Sequence, residues 1–267
     1  MEDRKTKVIL SFDDGRGDNY RVAMEELLPR NLKATFNITT GYVNGDIDKN
    51  NIPCENTSMS IDNVIELGGY NEIEIAGHGH EHLNTLEDWK KGIDILANWL
   101  GNKWARNEGI GIASPHSQMS ASAIRAISEE LEQLNIRYVR IGLSNQMDTK
   151  QRIISKLARE IKSNKLFYLP IANSLQKLDG DMVVFSVPIV HAHTVAQIKY
   201  TIDKAVYKQK DIVIMFHSIV KKNEDYYDNM WSWDYSKFVE LCDYLVELRK
   251  QNQIRVTTTM EAFAQLC

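Results

Sequence analysis

Seven short apolar runs recur along the chain: Val8-Ile9-Leu10, Ala34-Thr35-Phe36, Ile73-Glu74-Ile75, Ile110-Gly111-Ile112, Tyr138-Val139-Arg140-Ile141, Val183-Val184-Phe185 and Ile212-Val213-Ile214-Met215-Phe216. Each is too short for a helix and is rich in the β-branched and aromatic residues of a buried strand. Between them lie longer stretches with helical spacing, including Tyr20 to Leu28, Leu86 to Trp104, Ser120 to Leu134, Val195 to Tyr207 and Ser236 to Lys250. Strands that alternate with helices in this way form a largely parallel sheet with the helices packed outside it. Roughly seven or eight such units in 267 residues favour closure into a barrel over an open sheet. The expected fold class is therefore α/β, a (β/α) barrel. No repeat, linker or low-complexity segment divides the chain, so residues 1–267 are expected to form one domain, with Asn44 to Asn56 as a surface loop.

Composition narrows the partners. The net charge is -4 and no Lys/Arg block stands out, so there is no electrostatic footprint for nucleic acid. Cys54, Cys242 and Cys267 are far apart and form no CxxC pair, which indicates neither a disulfide framework nor a cysteine metal site. No segment approaches about 18 consecutive apolar residues, so no transmembrane segment is expected. The start of the chain has no signal-peptide pattern, which gives a cytoplasmic expectation for the chain as it stands, reversed if an export signal precedes it.

A parallel barrel gathers its chemistry just after the C-terminal ends of its strands. After the first run comes Ser11-Phe12-Asp13-Asp14-Gly15, two adjacent carboxylates followed by a glycine that permits a sharp turn. Taken alone, Asp-Asp-Gly is as good a turn as a site. After the third run comes Gly77-His78-Gly79-His80-Glu81-His82, where three of the chain's seven histidines fall within five residues. His78 and His82, four apart, are close enough on a helical turn or tight loop to share a metal, with Glu81 facing solvent or supporting a histidine. After the last run comes Phe216-His217-Ser218, which puts a further histidine at the same mouth. Together these supply the parts of a hydrolytic metal site: ligands, a base and an acid.

In this order and context the motifs resemble those of the polysaccharide deacetylase family, the NodB homology domain of carbohydrate esterase family four. Ser11-Phe12-Asp13-Asp14-Gly15 is similar to T-F-D-D-G, His78 to His82 to H-[S/T]-x-x-H, and Phe216-His217 to the histidine-bearing L-x-H. The resemblance runs from about Lys7 to about Val256. It implies a distorted (β/α) barrel of about seven strands, NodB-type, with Asp14, His78 and His82 as metal ligands, Asp13 as general base and His217 as general acid. The implied cofactor is one divalent metal, Zn2+ first by affinity, with Co2+, Mn2+ or Fe2+ also compatible with a mixed N/O set. The implied partner is an N-acetylated carbohydrate, from which the enzyme would release acetate. A two-histidine, one-carboxylate set leaves positions open for water and substrate, as hydrolysis requires.

Three departures stand beside the match. The third motif, R-P-P-Y in many members, reads Ala113-Ser114-Pro115-His116, so the arginine that holds the catalytic aspartate is absent; Arg16, Arg137 and Arg140 are candidates to replace it. Gly79 stands where Ser or Thr is usual, and D-x-x-D-W has no counterpart around Ser144 to Gln151. Further candidates for the substrate side are a backbone N–H near His116 for an oxyanion, His191 of the extended His191-Ala192-His193, and Tyr226, Tyr227, Trp231 and Trp233, whose rings could stack on sugars or simply cap the barrel. Two other readings use the same residues: hydrolysis of a non-sugar amide, and a non-catalytic carbohydrate-binding relative that lost turnover with the arginine.

Overall fold

The structure is a computed structural model and describes residues 4–47, 58–101, 104, 109–172, 174–221, 223–224 and 230–264. Tyr226, Tyr227, Cys54, Cys267 and most of the Asn44 to Asn56 loop lie outside the described residues. The chain runs β1 (Thr6–Phe12), α1 (Gly17–Val22), β2 (Ala34–Ile38), α2 (Thr40–Asn44), α3 (Ile61–Leu67), β3 (Ile73–Gly77), α4 (Leu86–Leu100), β4 (Ile110–Ala113), α5 (Ala121–Ala126), α6 (Ser128–Gln133) and β5 (Ile136–Gly142). It continues through α7 (Thr149–Glu160), α8 (Asn164–Ile171), β6 (Val183–Pro188), α9 (Val195–Tyr207), β7 (Ile212–Phe216), β8 (Ser218–Val220), β9 (Ser232–Asp234), α10 (Tyr235–Lys250), β10 (Ile254–Val256) and α11 (Thr259–Ala264).

Strands β1 to β7 are parallel neighbours in sequence order, and β7 pairs back onto β1 from Val8↔Ile212 to Phe12↔Phe216, which closes a seven-stranded barrel. The seven apolar runs are these seven strands. Val8 pairs with both Ile212 and Val256, so β10 lies on the edge of β1 opposite β7. It occupies the first half of that edge, Thr6 to Val8, while β2 takes the second half, Leu10 to Phe12. All seven residues of β1 are buried, as expected of a parallel strand covered on both faces.

The side-chain period of two divides each strand between helix layer and barrel interior. Val8, Leu10, Phe12, Phe36, Ile214 and Phe216 join the outer core beneath the helices, where Phe12 stacks on Phe36 with ring centroids 4.9 Å apart. Ile9, Tyr138, Val184 and Val213 come from β1, β5, β6 and β7 yet cluster together with Met260 and Ala262 of α11, so they fill the lumen and α11 plugs its lower end. One pleat further up, the inward positions turn polar: Ser11, Asn37, Arg140 and Ser186 are all buried. This polar upper layer is the floor of the site.

Some predicted helices are subdivided. Ser120 to Leu134 breaks at Ile127 into α5 and α6, and the Tyr20 to Leu28 stretch is the end of α1 followed by a π turn over Ala23–Leu27. Gly77, at the end of β3, is required by close approach: a Cβ there would meet Ile112 Cδ1 at 2.6 Å, where β3 and β4 pair.

Candidate metal centre and active site

Asp14 follows β1 with φ 76°, a left-handed conformation that an aspartate adopts at a cost of order 1 kcal/mol. This turn aims its carboxylate beside the loop after β3, where His82 is left-handed as well at φ 60°. Asp14 Oδ1 lies 3.5 Å from His78 Nε2 and 3.6 Å from His82 Nε2, and the two imidazole nitrogens are 3.1 Å apart. Tetrahedral zinc with bonds of about 2.0–2.1 Å separates its ligand atoms by about 3.3–3.4 Å. The point equidistant from these three atoms is about 2.0 Å from each, by the triangle of the three edges. A divalent cation therefore fits between them, and among the described residues this is the one group of three such donors.

The supporting contacts fix the donors. His78 Nδ1 donates to the Ala113 carbonyl at 2.8 Å, which leaves Nε2 with its lone pair toward Asp14. The position that bears arginine in the resembled motif thus contributes its backbone oxygen. Asp14 Oδ2 accepts from Arg16 at 3.2 Å, so Oδ1 is the oxygen free for a cation. Burial opposes ionisation of Asp14, but the His78 hydrogen bond and the nearby His217, His82 and His78 outweigh it and hold its carboxyl well below the ordinary range. Burial, assisted by His78, keeps the His82 imidazole neutral down to about 3. Burial lowers the His78 pKa as well, yet the Asp14 hydrogen bond and the charges of Asp13 and Asp14 raise it overall, so a cation competes with a proton there.

The loop itself is held by a residue that sequence reasoning did not single out. Asp88, in the first turn of α4, accepts from three backbone N–H groups: Oδ2 takes those of His80 and Leu83 at 3.2 and 2.9 Å, and Oδ1 takes that of Glu81 at 2.7 Å. A Cβ on Gly79, which sits at φ 78°, would lie 2.2 Å from Asp88 Oδ2. The departure at Gly79 is therefore a fit to the Asp88 carboxylate. His80, the third histidine of the cluster, turns away to Thr40 Oγ1 at 3.0 Å and joins no ligand set.

Asp13 lies beside the ligands but points back into the barrel. Its carboxylate accepts from Arg140 Nη2 at 2.8 and 2.6 Å and from Asn37 Nδ2 at 2.9 Å. Arg140 is 1% exposed and also donates to Ser186 Oγ at 2.8 Å. It is the register partner of Ala113 on the neighbouring strand. The cation missing from the third motif is thus supplied from β5 at the same level of the barrel. Of the other candidates, Arg16 serves Asp14 and Asp18, and Arg137 is exposed. A signal was present in the sequence: Arg140 follows Tyr138 by two and so shares its inward face, whereas Arg137 falls on the other.

His217, just after β7, faces the same group, with burial lowering its pKa against the pull of Asp14 and Asp13. Its ring packs on Trp231, a half-buried indole, with centroids 4.5 Å apart. His116 is exposed at φ 52° and its ring lies 4.3 Å from that of His82, at the mouth.

Trp233 is a correction. It is fully buried and its indole N–H donates to the His193 carbonyl at 2.9 Å, so it packs the wall and presents no face to a sugar. The segment around His191 is a turn rather than extended chain, closed by His193 N–H to the Val190 carbonyl at 2.9 Å. His193, and not His191, lines the cavity beside the site. Asp148, where a D-x-x-D-W motif was sought, caps α7 in a capping box with Gln151.

No protein-family model matches the chain, and no curated protein does. Its structural neighbours include carbohydrate deacetylases and esterases. The Xyl-CE4 domain of a multidomain xylanase from the hindgut metagenome of Trinervitermes trinervoides is 13% identical, covering 98% of this chain and 91% of that one at a TM-score of 0.48. A family 4 acetyl xylan esterase from Clostridium thermocellum, in complex with a cobalt ion, is 14% identical over 97% and 91% at 0.46. The deacetylase domain of BpsB from Bordetella bronchiseptica is 15% identical over 50% of this chain and 62% of that one at 0.40. These likenesses are distant, and the function rests on the side chains themselves.

Proposed function

We propose that this chain is a metal-dependent hydrolase that removes N-acetyl groups from a carbohydrate. The observation that carries the reading is the convergence of Asp14, His78 and His82 on a point about 2.0 Å from each donor, with Asp13 and His217 beside it. When bound there, a divalent cation would polarise the acetyl carbonyl and acidify a water. Asp13, clamped by Arg140 and Asn37 beside the ligands, would accept the proton of the attacking water. His217, whose lowered pKa makes its protonated form a ready donor, gives a proton to the departing amine nitrogen as the C–N bond breaks. His116 and Trp231 border the space where the sugar would lie, and Trp231 offers a face for stacking.

The ground for a non-catalytic relative was the lost arginine, and the Arg140 contact removes it. The test is acetate release from N-acetylglucosamine oligomers by metal-loaded protein, with Asp13→Asn as control. That variant is expected to keep its metal while turnover drops by about two to four orders of magnitude. Undiminished turnover would assign the base to another group.

A further inference from the structure

A cavity of about 410 Å³ opens beside the Trp231 ring that packs on His217, outside the C-terminal ends of β5 and β6 and walled by α7 and α8. Its link to the site is Trp231, which both lines the cavity and packs on the His217 ring. The volume suits a small-molecule group. The floor is apolar, formed by Phe167, Ile171, Val187 and Val190 among others, and the polar groups that reach it are Ser155, His193 and two arginines of α7, Arg152 and Arg159. Burial holds His193 neutral down to about 3, with the charges of Arg159 and Lys237 acting in the same direction. Among the described residues no carboxylate lines the cavity and none is paired with Arg152 or Arg159. An apolar chamber whose charges, among the described residues, are two guanidinium groups selects a ligand that is apolar along most of its length and anionic at one point.

We propose that this cavity binds the part of the substrate beyond the acetylated sugar, and that this part is an alkyl or isoprenoid chain joined to the sugar through a phosphate. The inference rests on the deacetylase reading and names its substrate class. The phosphate falls to Arg152 and Arg159 at the rim and the chain to the floor. A nucleotide would also bring phosphates, but its base edge needs several hydrogen-bond partners, and a floor whose polar groups, among the described residues, are Ser155 and His193 would leave most of them unmade. A hydrocarbon chain leaves nothing unpaired. The surrounding surface fits a substrate held in a bilayer. On α7 and α8, Ile153, Leu157, Ile161 and Leu169 are 63%, 44%, 57% and 53% exposed, among Lys150, Arg152, Lys156, Arg159, Lys162 and Lys165, in a chain whose net charge is negative. Exposed apolar and basic side chains together are the chemistry that meets anionic lipid headgroups.

The test begins with binding alone, read by tryptophan fluorescence on the full chain with octyl phosphate, inorganic phosphate, octanol and uridine monophosphate as probes. Octyl phosphate is expected to bind at least about a hundredfold tighter than inorganic phosphate, through burial of its chain. Joint Arg152→Gln and Arg159→Gln substitution should weaken it by about tenfold or more. Octyl phosphate no tighter than inorganic phosphate, or unaffected by the substitutions, would overturn the proposal; tighter uridine monophosphate would replace the chain with a nucleotide. The second arm compares acetate release from N-acetylglucosamine joined through phosphate to a ten-carbon isoprenoid with release from chitotriose, where a KM at least about tenfold lower is expected for the former. Release from chitotriose with no such preference would end the inference while the deacetylase reading stands. Octyl phosphate binding with no acetate release from either compound would end the deacetylase reading and leave the anionic-lipid site.

Discussion

Replacing Arg140 with methionine tests the structure at its most informative contact. Arg140 and Asp13 are 1% and 2% exposed, and the guanidinium meets both carboxylate oxygens. Removing one member of such a pair leaves a buried charge with Asn37 as its remaining side-chain partner and costs about 3–5 kcal/mol, whereas replacing both members with neutral side chains costs far less. Arg140→Met is therefore expected to lose about 3–5 kcal/mol, and Asp13→Asn, which strands the arginine instead, a comparable amount. The double variant should lose less than the sum of the two by at least about 2 kcal/mol. Urea denaturation followed by circular dichroism, on metal-loaded and chelated protein, measures all four corners of the cycle. Arg140→Met should also reduce turnover by about two orders of magnitude with little change in KM, because it disorders the base without touching the sugar. Arg140→Lys should restore part of that loss, since it keeps the charge but not the fork. Single costs that add to the double cost within about 0.5 kcal/mol would refute the coupling, and with it the idea that β5 supplies the cation lost from β4.

His217→Ala should keep its metal while acetate release from an N-acetyl sugar falls by about two to four orders of magnitude; release from an activated O-acetyl ester, whose leaving group needs little protonation, should fall much less, and equal losses would make His217 structural. Because the His78 pKa is raised, a cation competes with a proton for its imidazole, so metal affinity measured by calorimetry should weaken as pH is lowered from about 8 to about 6; an affinity independent of pH would count against His78 as a ligand. Asp18 is buried, accepts from the Ile219 N–H at 2.6 Å, and burial pushes its pKa from 3.8 up to about 6. The folded state thus holds this proton more tightly than the unfolded one, so this group costs nothing below about pH 4 and up to about 3 kcal/mol above about pH 6. Asp18→Asn should therefore gain stability relative to the parent protein as pH rises from about 4 to about 7 in urea melts, and a constant difference across that range would contradict the burial argument.

The strands were legible because a closed parallel barrel buries both faces of each strand, and apolar runs such as Val8-Ile9-Leu10 and Ile212 to Phe216 have no other use. The candidate ligand set was legible because Asp14, His78 and His82 come from two loops with distinctive local patterns. Arg140 could not be placed from a motif, since what brings it to Asp13 is the chord across the lumen from β5 to β1, and a chord leaves no spacing to read. Asp88 was hidden for the opposite reason: an aspartate in the first turn of a helix needs no further explanation, although this one carries the histidine loop. Trp231 precedes β9 and Trp233 lies within it, so the same-face rule for residues two apart on a strand does not hold here; one indole reaches the site and the other is walled in, and only the packing against His193 says which.

The three-way pairing of β1 sets the order in which the protein can be made. This strand is made before the other strands of the barrel and leads into the two carboxylates, yet one of its edges is completed only by residues 212–216 and half of the other by residues 254–256. During synthesis the emerging chain has β2 as its sole early partner, and it holds an open, strongly apolar edge until more than two hundred residues have followed. Contacts this distant in sequence slow folding and lengthen the time in which a strand edge is available to other chains. They also make the chemistry all-or-none. His217 sits one residue beyond the strand that seals the barrel, so it reaches Asp13 and Asp14 only when the cylinder has closed, and the proposed acid and base do not meet before that.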